Sequence, residues 1–236
     1  MINKSYQSNT TRKQIFLLSI PVFFSNLAIP LVGIIDTGLM GNLGEVKYLA
    51  ATSIATSVIT MIVWSFGFFR MGTVGIVSQL FGKSDYREII KTLIRNFLIA
   101  LLIAIIIILF EPLIESLTKS FFSTSSETQD LINTYLSVRV LSVPAELVIY
   151  ILIGFYLGIQ KTTISSLLII TLSVLNIILS TFFVLSLNLD IFGVALGTLI
   201  ASYTTLILFL FYTYQFIIKK FQIIPKFENL FVLSKL

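Results

Sequence analysis

Leu98-Ile-Ala-Leu-Leu-Ile-Ala-Ile-Ile-Ile-Ile-Leu-Phe110 is an unbroken apolar run, and it decides the class of the fold. A helix needs about 20 mostly apolar residues to cross the hydrocarbon core of a bilayer. The segment around this run, 86–117, meets that requirement, and so do five others along the chain: 15–41, 47–81, 127–158, 161–187 and 190–221. The sequence therefore predicts an all-α integral membrane protein, in which residues 15–221 form a bundle of six transmembrane helices.

The composition agrees with a membrane protein and argues against an enzyme. Of the 236 residues, 56% are hydrophobic and 11% are charged, whereas about 25% are charged in soluble domains. The chain has no cysteine and no histidine, which excludes thiolate nucleophiles, histidine bases and the usual zinc ligands. Aspartyl hydrolysis needs two close carboxylates, and Asp36 and Glu146 lack the sequence context for such a pair. No enzymatic activity and no organic cofactor are expected.

Basic residues are concentrated on one side of the predicted bundle. Since cytoplasmic loops carry an excess of Lys and Arg, this side is predicted to be cytoplasmic. Both termini lie on it: a retained N-terminal segment at 1–14 and a linker or tail at 222–236. We expect a multi-pass protein of the inner (plasma) membrane, whose basic residues determine topology and do not bind nucleic acid. They are Lys4, Arg12, Lys13, Lys83, Arg87, Lys91, Arg95, Lys161, Lys219, Lys220, Lys226 and Lys235.

Polar residues recur within the first predicted helix. Asn26, Pro30, Gly33, Asp36 and Met40 follow one another at steps of three or four residues, which places them along one face. A carboxylate at bilayer depth is costly and is usually functional, so Asp36 is a candidate proton or cation site. The alternative is that it is solvated near the outer interface. Pro21 and Pro30 are predicted to let this helix bend, because proline removes a backbone hydrogen bond.

A polar stripe runs along the fourth predicted helix, at steps of four, three, four and four residues: Tyr135, Arg139, Ser142, Glu146 and Tyr150. Two interpretations remain open. The stripe lines a cavity, or Arg139 and Glu146 pair with groups on neighbouring helices and hold the bundle together.

Hydroxyl and amide groups share faces of the last two helices: Ser166, Ser173, Asn176 and Ser180 on the fifth, and Thr198, Ser202 and Thr205 on the sixth. With Asp36 they predict an oxygen-rich pocket suited to a proton or to a hard monovalent cation such as Na⁺. Ser and Thr also join helices to one another, so the hydroxyls alone do not define a site. Asn176 is the stronger indication, since an amide is harder to leave without a partner in hydrocarbon.

Paired glycines indicate close helix packing. Gly154 with Gly158, and Gly193 with Gly197, have the spacing that lets two helix backbones approach each other. Gly72 and Gly75 are expected to serve the same purpose.

Several stretches together resemble the multidrug and toxic compound extrusion (MATE) family, and within it the DinF-like branch: Ile29-Pro-Leu-Val-Gly-Ile-Ile-Asp-Thr-Gly-Leu-Met-Gly-Asn-Leu-Gly44, Phe69-Arg-Met-Gly-Thr-Val-Gly75, Arg139-Val-Leu-Ser-Val-Pro-Ala145 and Gly193-Val-Ala-Leu-Gly-Thr198. The resemblance extends over about 12–220. It implies one six-helix lobe, the N-terminal half, of a two-lobed antiporter that exports organic, often cationic compounds in exchange for H⁺ or Na⁺.

The resemblance also implies roles for individual residues. Asp36 matches the acidic residue that binds the coupling ion, while Asn176 and Thr198 match the amide and hydroxyl of the same site. Pro21 matches the proline at which the first helix is proposed to bend, and Tyr135 falls near a cavity tyrosine. Ser180 departs from the pattern, because many relatives carry a second carboxylate there, and this departure leaves the choice between H⁺ and Na⁺ open.

The length of the chain raises the question of a partner. A single lobe cannot carry out the rocking of one lobe against another that alternating access requires. Three explanations are open: the chain is a fragment of a split or truncated gene, it is a six-helix protein that pairs with a second half or with a copy of itself, or it is an inactive remnant. A flippase for lipid-linked precursors and a non-transporting scaffold are the alternative functions. The flippase would need a more basic cavity than Arg70 and Arg139 provide.

Overall fold

The computed structural model describes residues 12–221, with side chains from Ser19 onward. Nine α-helices occupy this range: α1 (Arg12–Gly41), α2 (Val46–Ser65), α3 (Phe68–Gly82), α4 (Tyr86–Leu109), α5 (Glu111–Phe121), α6 (Ser126–Val140), α7 (Val143–Gly158), α8 (Thr162–Thr181) and α9 (Asp190–Phe221). A π-helical turn, Phe182–Ser186, extends α8. The predicted tail at 222–236 and residues 1–11 of the predicted N-terminal segment lie outside the described residues.

Long apolar helices account for the predicted bundle. Five stretches are long and apolar enough to cross a membrane: Ser19–Gly41, Val46–Gly82, Tyr86–Leu109, Thr162–Ser186 and Asp190–Phe221. The helices α6 and α7 are bent by 48° at a short break, and they supply the predicted fourth span, for a total of six, if the pair is counted as one. The all-α membrane architecture predicted from the sequence is therefore confirmed for the part of the chain that the structure describes.

The boundaries of three predicted spans need correction. The third span ends at Leu109 and not at 117, because the chain breaks at Phe110 and starts a separate helix at Glu111. Pro112 lies in the first turn of that helix, where its missing N–H costs nothing. The second span is interrupted at 66–67, between α2 and α3.

The fourth span breaks at Leu141 and Ser142, between α6 and α7. Pro144, in the first turn of α7, accounts for the break, since its ring clashes with the preceding turn and it supplies no N–H. By contrast, Pro21 and Pro30 both lie inside α1, which runs without interruption from Arg12 to Gly41. The bend predicted at these two prolines stays a prediction.

Glycines set the closest helix contacts. A Cβ atom added at Gly154 would come within 2.6 Å of the Arg70 carbonyl oxygen on α3, and one at Gly158 within 2.8 Å of Val77 Cβ. One added at Gly197 would come within 2.6 Å of the Ser180 backbone nitrogen on α8. Close packing at these glycines is confirmed. The same expectation was wrong for Gly72 and Gly75, where no such atom lies within 4 Å.

We expect Gly197→Ala to lower the stability of the bundle by about 1–3 kcal/mol, the usual cost of overpacking. Besides the Ser180 hydroxyl, its methyl group would meet the backbone nitrogen and Cα of Ser180, which cannot rotate away. Gly75→Ala is the matched control, since its methyl group meets open space and alanine favours a helix interior. Thermal unfolding in detergent micelles measures both. An unfolding temperature of Gly197→Ala equal to that of the unchanged protein would contradict the packing described here.

Candidate functional site

Three of the predicted site residues form a hydrogen-bonded group between α8 and α9, which we call the amide–hydroxyl cluster: Asn176, Ser180 and Thr198. Asn176 Nδ2 donates to Thr198 Oγ1 at 2.8 Å, and the Ser180 hydroxyl lies 3.4 Å from Asn176 Oδ1. Thr198 in turn donates to the Val194 carbonyl at 3.1 Å. The predicted meeting of these side chains is therefore confirmed. Their hydrogen bonds also join the two helices.

Asp36 turns toward the bundle but does not join the amide–hydroxyl cluster. Its Oδ1 atom is buried and has no hydrogen-bond partner among the described residues. The charged group that acts on its carboxylate is Arg139, and Tyr135 also lies within electrostatic range. The structure thus associates Asp36 with the polar stripe of the fourth span, a link that the sequence pattern did not indicate.

The remaining polar groups of α1 do not share the position of Asp36. Asn26, Pro30, Gly33 and Thr37 are exposed, whereas Met40 is fully buried. The residues predicted to share this face therefore do not share one environment, because Asn26 is exposed and Met40 is buried. At 100° per residue, Asn26 lies only about 40° around the helix axis from Met40, so their different exposure reflects their different positions along α1 and not opposite sides of it. Pro21 is partly buried.

Arg139, Ser142 and Glu146 form a compact network at the break of the fourth span, which we call the arginine network. Arg139 Nη1 donates to Glu146 Oε1 at 2.6 Å and also to the Ser142 hydroxyl. The Ser142 oxygen lies 2.6 Å from the Arg139 carbonyl oxygen and 2.8 Å from Glu146 Oε1. Arg139 and Glu146 therefore pair with each other across the break, and not with groups on neighbouring helices as one interpretation of the stripe expected.

Two hydroxyls that sequence reasoning missed complete the surroundings of the break. Tyr203 on α9 donates to the Leu141 carbonyl at 3.0 Å, and Thr56 on α2 donates to the Tyr135 hydroxyl at 3.1 Å. Both contacts join residues more than 60 positions apart, so no local pattern in the sequence marks them. The fourth span is consequently held by side chains from α2 and α9.

The other predicted oxygen donors are buried without forming a pocket around Asp36. Ser166 and Ser173 are buried on α8, and the hydroxyl oxygens of Ser202 and Thr205 are buried on α9 without a hydrogen-bond partner in the described structure. A groove of about 600 Å³ opens beside the end of α1. Its lining contains no predicted site residue: Ile34, Ile35, Gly38, Leu39, Gly41, Asn42 and Thr181. The cavity predicted along Tyr135, Arg139 and Glu146 is therefore not this groove.

Comparison with known families decides the class of the chain. The sequence model of the MatE family matches residues 21–182. The chain belongs to the MatE family. The family resemblance drawn from the sequence motifs is therefore confirmed.

Two curated MATE relatives give the level of similarity. The chain is 31% identical over 196 residues to the DNA damage-inducible protein F of Escherichia coli K12, covering 83% of this chain and 43% of the relative. It is 27% identical over 210 residues to the multidrug export protein MepA of Staphylococcus saprophyticus, covering 88% and 46%. The chain thus spans about half the length of the curated relatives that it matches.

Solved structures show the same fold. The crystal structure of a MATE protein in complex with MaD3S superposes with a TM-score of 0.81 at 22% identity, and the match covers 92% of this chain and 48% of that one. Together with the apolar spans, these likenesses identify a multi-pass membrane protein with the fold of about half a MATE transporter.

Breaking the ion pair of the arginine network should destabilise the bundle. We expect Arg139→Met to cost about 3–5 kcal/mol, because it leaves the Glu146 carboxylate buried without its partner. The double variant Arg139→Met/Glu146→Leu should recover most of this loss, since it removes both charges. Thermal unfolding of the single and double variants in micelles provides the measurement.

Lys91→Met is the control for this comparison. Lys91 pairs with Glu88 at 2.6 Å on the surface of α4, and such pairs contribute only about 0–1 kcal/mol. If the double variant unfolds at a lower temperature than Arg139→Met, the two substitutions destabilise the bundle independently. That result would contradict the ion pair between Arg139 and Glu146.

Proposed function

We propose that this chain is one half of a secondary active antiporter that exports organic, cationic compounds in exchange for H⁺ or Na⁺. The observation that carries the proposal is the buried, unpartnered Asp36 Oδ1 inside the membrane bundle of a MATE protein. An unpaired carboxylate at this depth in the membrane destabilises the bundle. Reversible binding of a cation to this carboxylate would explain why the chain carries an aspartate at this position. The name of one relative, a multidrug export protein, supports the substrate class.

The same side chains support a division of labour within the site. Asp36 is the group that takes up the coupling ion, and it is the one carboxylate of the proposed site because Ser180 stands where many relatives carry a second. Asn176, Ser180 and Thr198 lie on the neighbouring helices as oxygen donors that a dehydrated cation can use. A single carboxylate is neutralised by one H⁺ or one Na⁺, so one cation per cycle is the simplest coupling at this site.

The length of the chain bears on its partners. Because the chain spans about half of its relatives, we propose that it works with a second six-helix half or with another copy of itself in the inner membrane, with both termini cytoplasmic. Alternating access then comes from the movement of one half against the other around a central site. The proposed transport cycle uses no cofactor other than the coupling ion.

Two alternatives receive less support. A flippase for lipid-linked precursors needs cationic side chains that are free to bind phosphate, and Arg139 is already paired with Glu146, which leaves Arg70 as the exposed arginine of the second span. A non-transporting scaffold or remnant has no use for an unpaired internal carboxylate.

We expect Asp36→Asn to abolish cation-coupled export in an active assembly, because asparagine has nearly the same shape but cannot bind and release a proton or offer a full charge to Na⁺. Ethidium efflux from cells without their own pumps, followed over a pH series and with or without Na⁺, measures the effect. Asp130→Asn is the control, since it makes the same chemical change at an exposed position on α6. Full efflux by Asp36→Asn at every pH would refute the assignment.

Expression of the chain alone, and then together with a candidate C-terminal six-helix half, tests the partner requirement. We expect ethidium export only when both halves are present, because alternating access needs two bodies. Export by the chain alone would instead identify a homodimer. If neither combination exports ethidium, although immunoblots of membrane fractions show both chains, the antiporter proposal fails and the result favours a remnant or scaffold.

A further inference from the structure

The short helix α5 has an exposed apolar side that no other part of the described chain covers. Leu113, Leu117 and Phe121, which we call the α5 stripe, follow one another at four-residue steps and are 50%, 49% and 80% exposed. At 100° per residue, Glu111, Glu115 and Lys119 lie on the opposite side of the helix. An apolar side of this size needs a partner of matching chemistry.

The α5 stripe continues an apolar surface that already faces the lipid. Exposed side chains of the transmembrane helix α4 are aliphatic along its second half: Leu98, Ile99, Leu101, Leu102, Ile105, Ile106 and Leu109. Only Phe110, itself 54% exposed, separates α4 from α5. The stripe therefore begins where the lipid-facing surface of α4 ends.

Charged contacts place α5 at the boundary of the bundle. α2, α6 and α9 all begin at this end, as shown by the contacts of Lys47 with Glu127 at 3.2 Å and of Tyr48 with Asp190 at 3.4 Å. Such charged groups belong in water or among lipid headgroups. Thr118, between the polar and apolar sides of α5, is buried, so this third side of the helix faces the protein.

The acidic side of α5 is suited to a region that is only partly aqueous. Burial, reinforced by the neighbouring Glu111, raises the pKa of the Glu115 carboxyl to about 7. A carboxyl that is protonated for part of the time near neutral pH is less costly to hold beside hydrocarbon than a fully charged one. Lys119, by contrast, offers a cation to lipid phosphates.

We propose that α5 is an interfacial helix that lies on the membrane surface and inserts Leu113, Leu117 and Phe121 among the acyl chains just below the headgroups. Helices of this kind bury an apolar side to a shallow depth and keep a charged side at the headgroups. The continuity with α4 favours lipid over a protein partner, because a covering protein would have to interrupt an aliphatic surface that reaches the stripe without a polar rim. α5 thereby fixes the level of this end of the bundle in the bilayer.

Nitroxide accessibility tests the proposal directly, and the absence of cysteine from the chain allows single labels. Leu117→Cys and Lys119→Cys form a matched pair on opposite sides of α5, and Leu102→Cys on α4 serves as the lipid reference. The whole 236-residue chain is reconstituted in nanodiscs of phosphatidylcholine and phosphatidylglycerol. Collision rates with oxygen, which concentrates in lipid, and with a water-soluble nickel chelate are then measured.

The expected result is that the label at 117 collides preferentially with oxygen and the label at 119 with the nickel chelate, with the depth of the first between those of 102 and 119. Equal nickel accessibility at 117 and 119 would place the stripe in water and overturn the proposal. Protection of 117 from both reagents would show that protein, and not lipid, covers it, and would also overturn the proposal. Leu113→Cys repeats the measurement on the same side, so the result does not depend on one substitution.

Discussion

The break in the fourth span is the constraint on which the arrangement of the polar residues depends. Inside a bilayer, a carbonyl without a hydrogen bond cannot bond to water instead. At the break between α6 and α7 the Ser142 carbonyl accepts from the Glu146 backbone N–H at 3.1 Å, whereas the Leu141 carbonyl relies on a side chain. Tyr203 donates to the Leu141 carbonyl, and the Arg139 carbonyl accepts from both the backbone N–H and the hydroxyl of Ser142. Arg139 and Glu146 then neutralise each other on either side of the break, so the ion pair also bridges the two helices.

Asp36 forms no hydrogen bond with either of the two polar groups. The amide–hydroxyl cluster satisfies itself, since Asn176, Ser180 and Thr198 bond to one another and to the Val194 carbonyl. The guanidinium of Arg139 is occupied by Glu146 and Ser142. Neither group donates a hydrogen bond to Asp36, and its Oδ1 remains without a partner among the described residues. A site of this kind can accept a cation without first breaking a hydrogen bond to that carboxylate oxygen.

The sequence predicted the features that arise from composition and from repetition along one helix. Apolar length predicted the spans, and helical spacing predicted that Ser173, Asn176 and Ser180 would share a buried side. Glycine spacing predicted the contacts of Gly154, Gly158 and Gly197, but it could not exclude Gly72 and Gly75, because their spacing is similar and only the neighbouring helix distinguishes them.

The features that were missed depend on chemistry between distant residues. Pro144 lay within one apolar stretch that gave no sign of whether the helix would bend or break, so the interruption at Ser142 was not anticipated. Thr56 and Tyr203 are single hydroxyls on long helices, and their partners lie elsewhere in the chain. The roles proposed for Asp36 and for the amide–hydroxyl cluster remain predictions, since geometry alone does not identify an ion.

The contact between Tyr203 and Leu141 also has a consequence for the order of events during synthesis. The two residues are 62 positions apart, and a ribosome adds about 5–20 residues per second. The fourth span therefore emerges about 3–12 seconds before the hydroxyl that will bond to its exposed carbonyl, as follows from the same elongation rate. During that interval Thr56, Arg139, Ser142 and Glu146 have already been made, whereas the Leu141 carbonyl still lacks the hydroxyl that bonds to it in the folded chain.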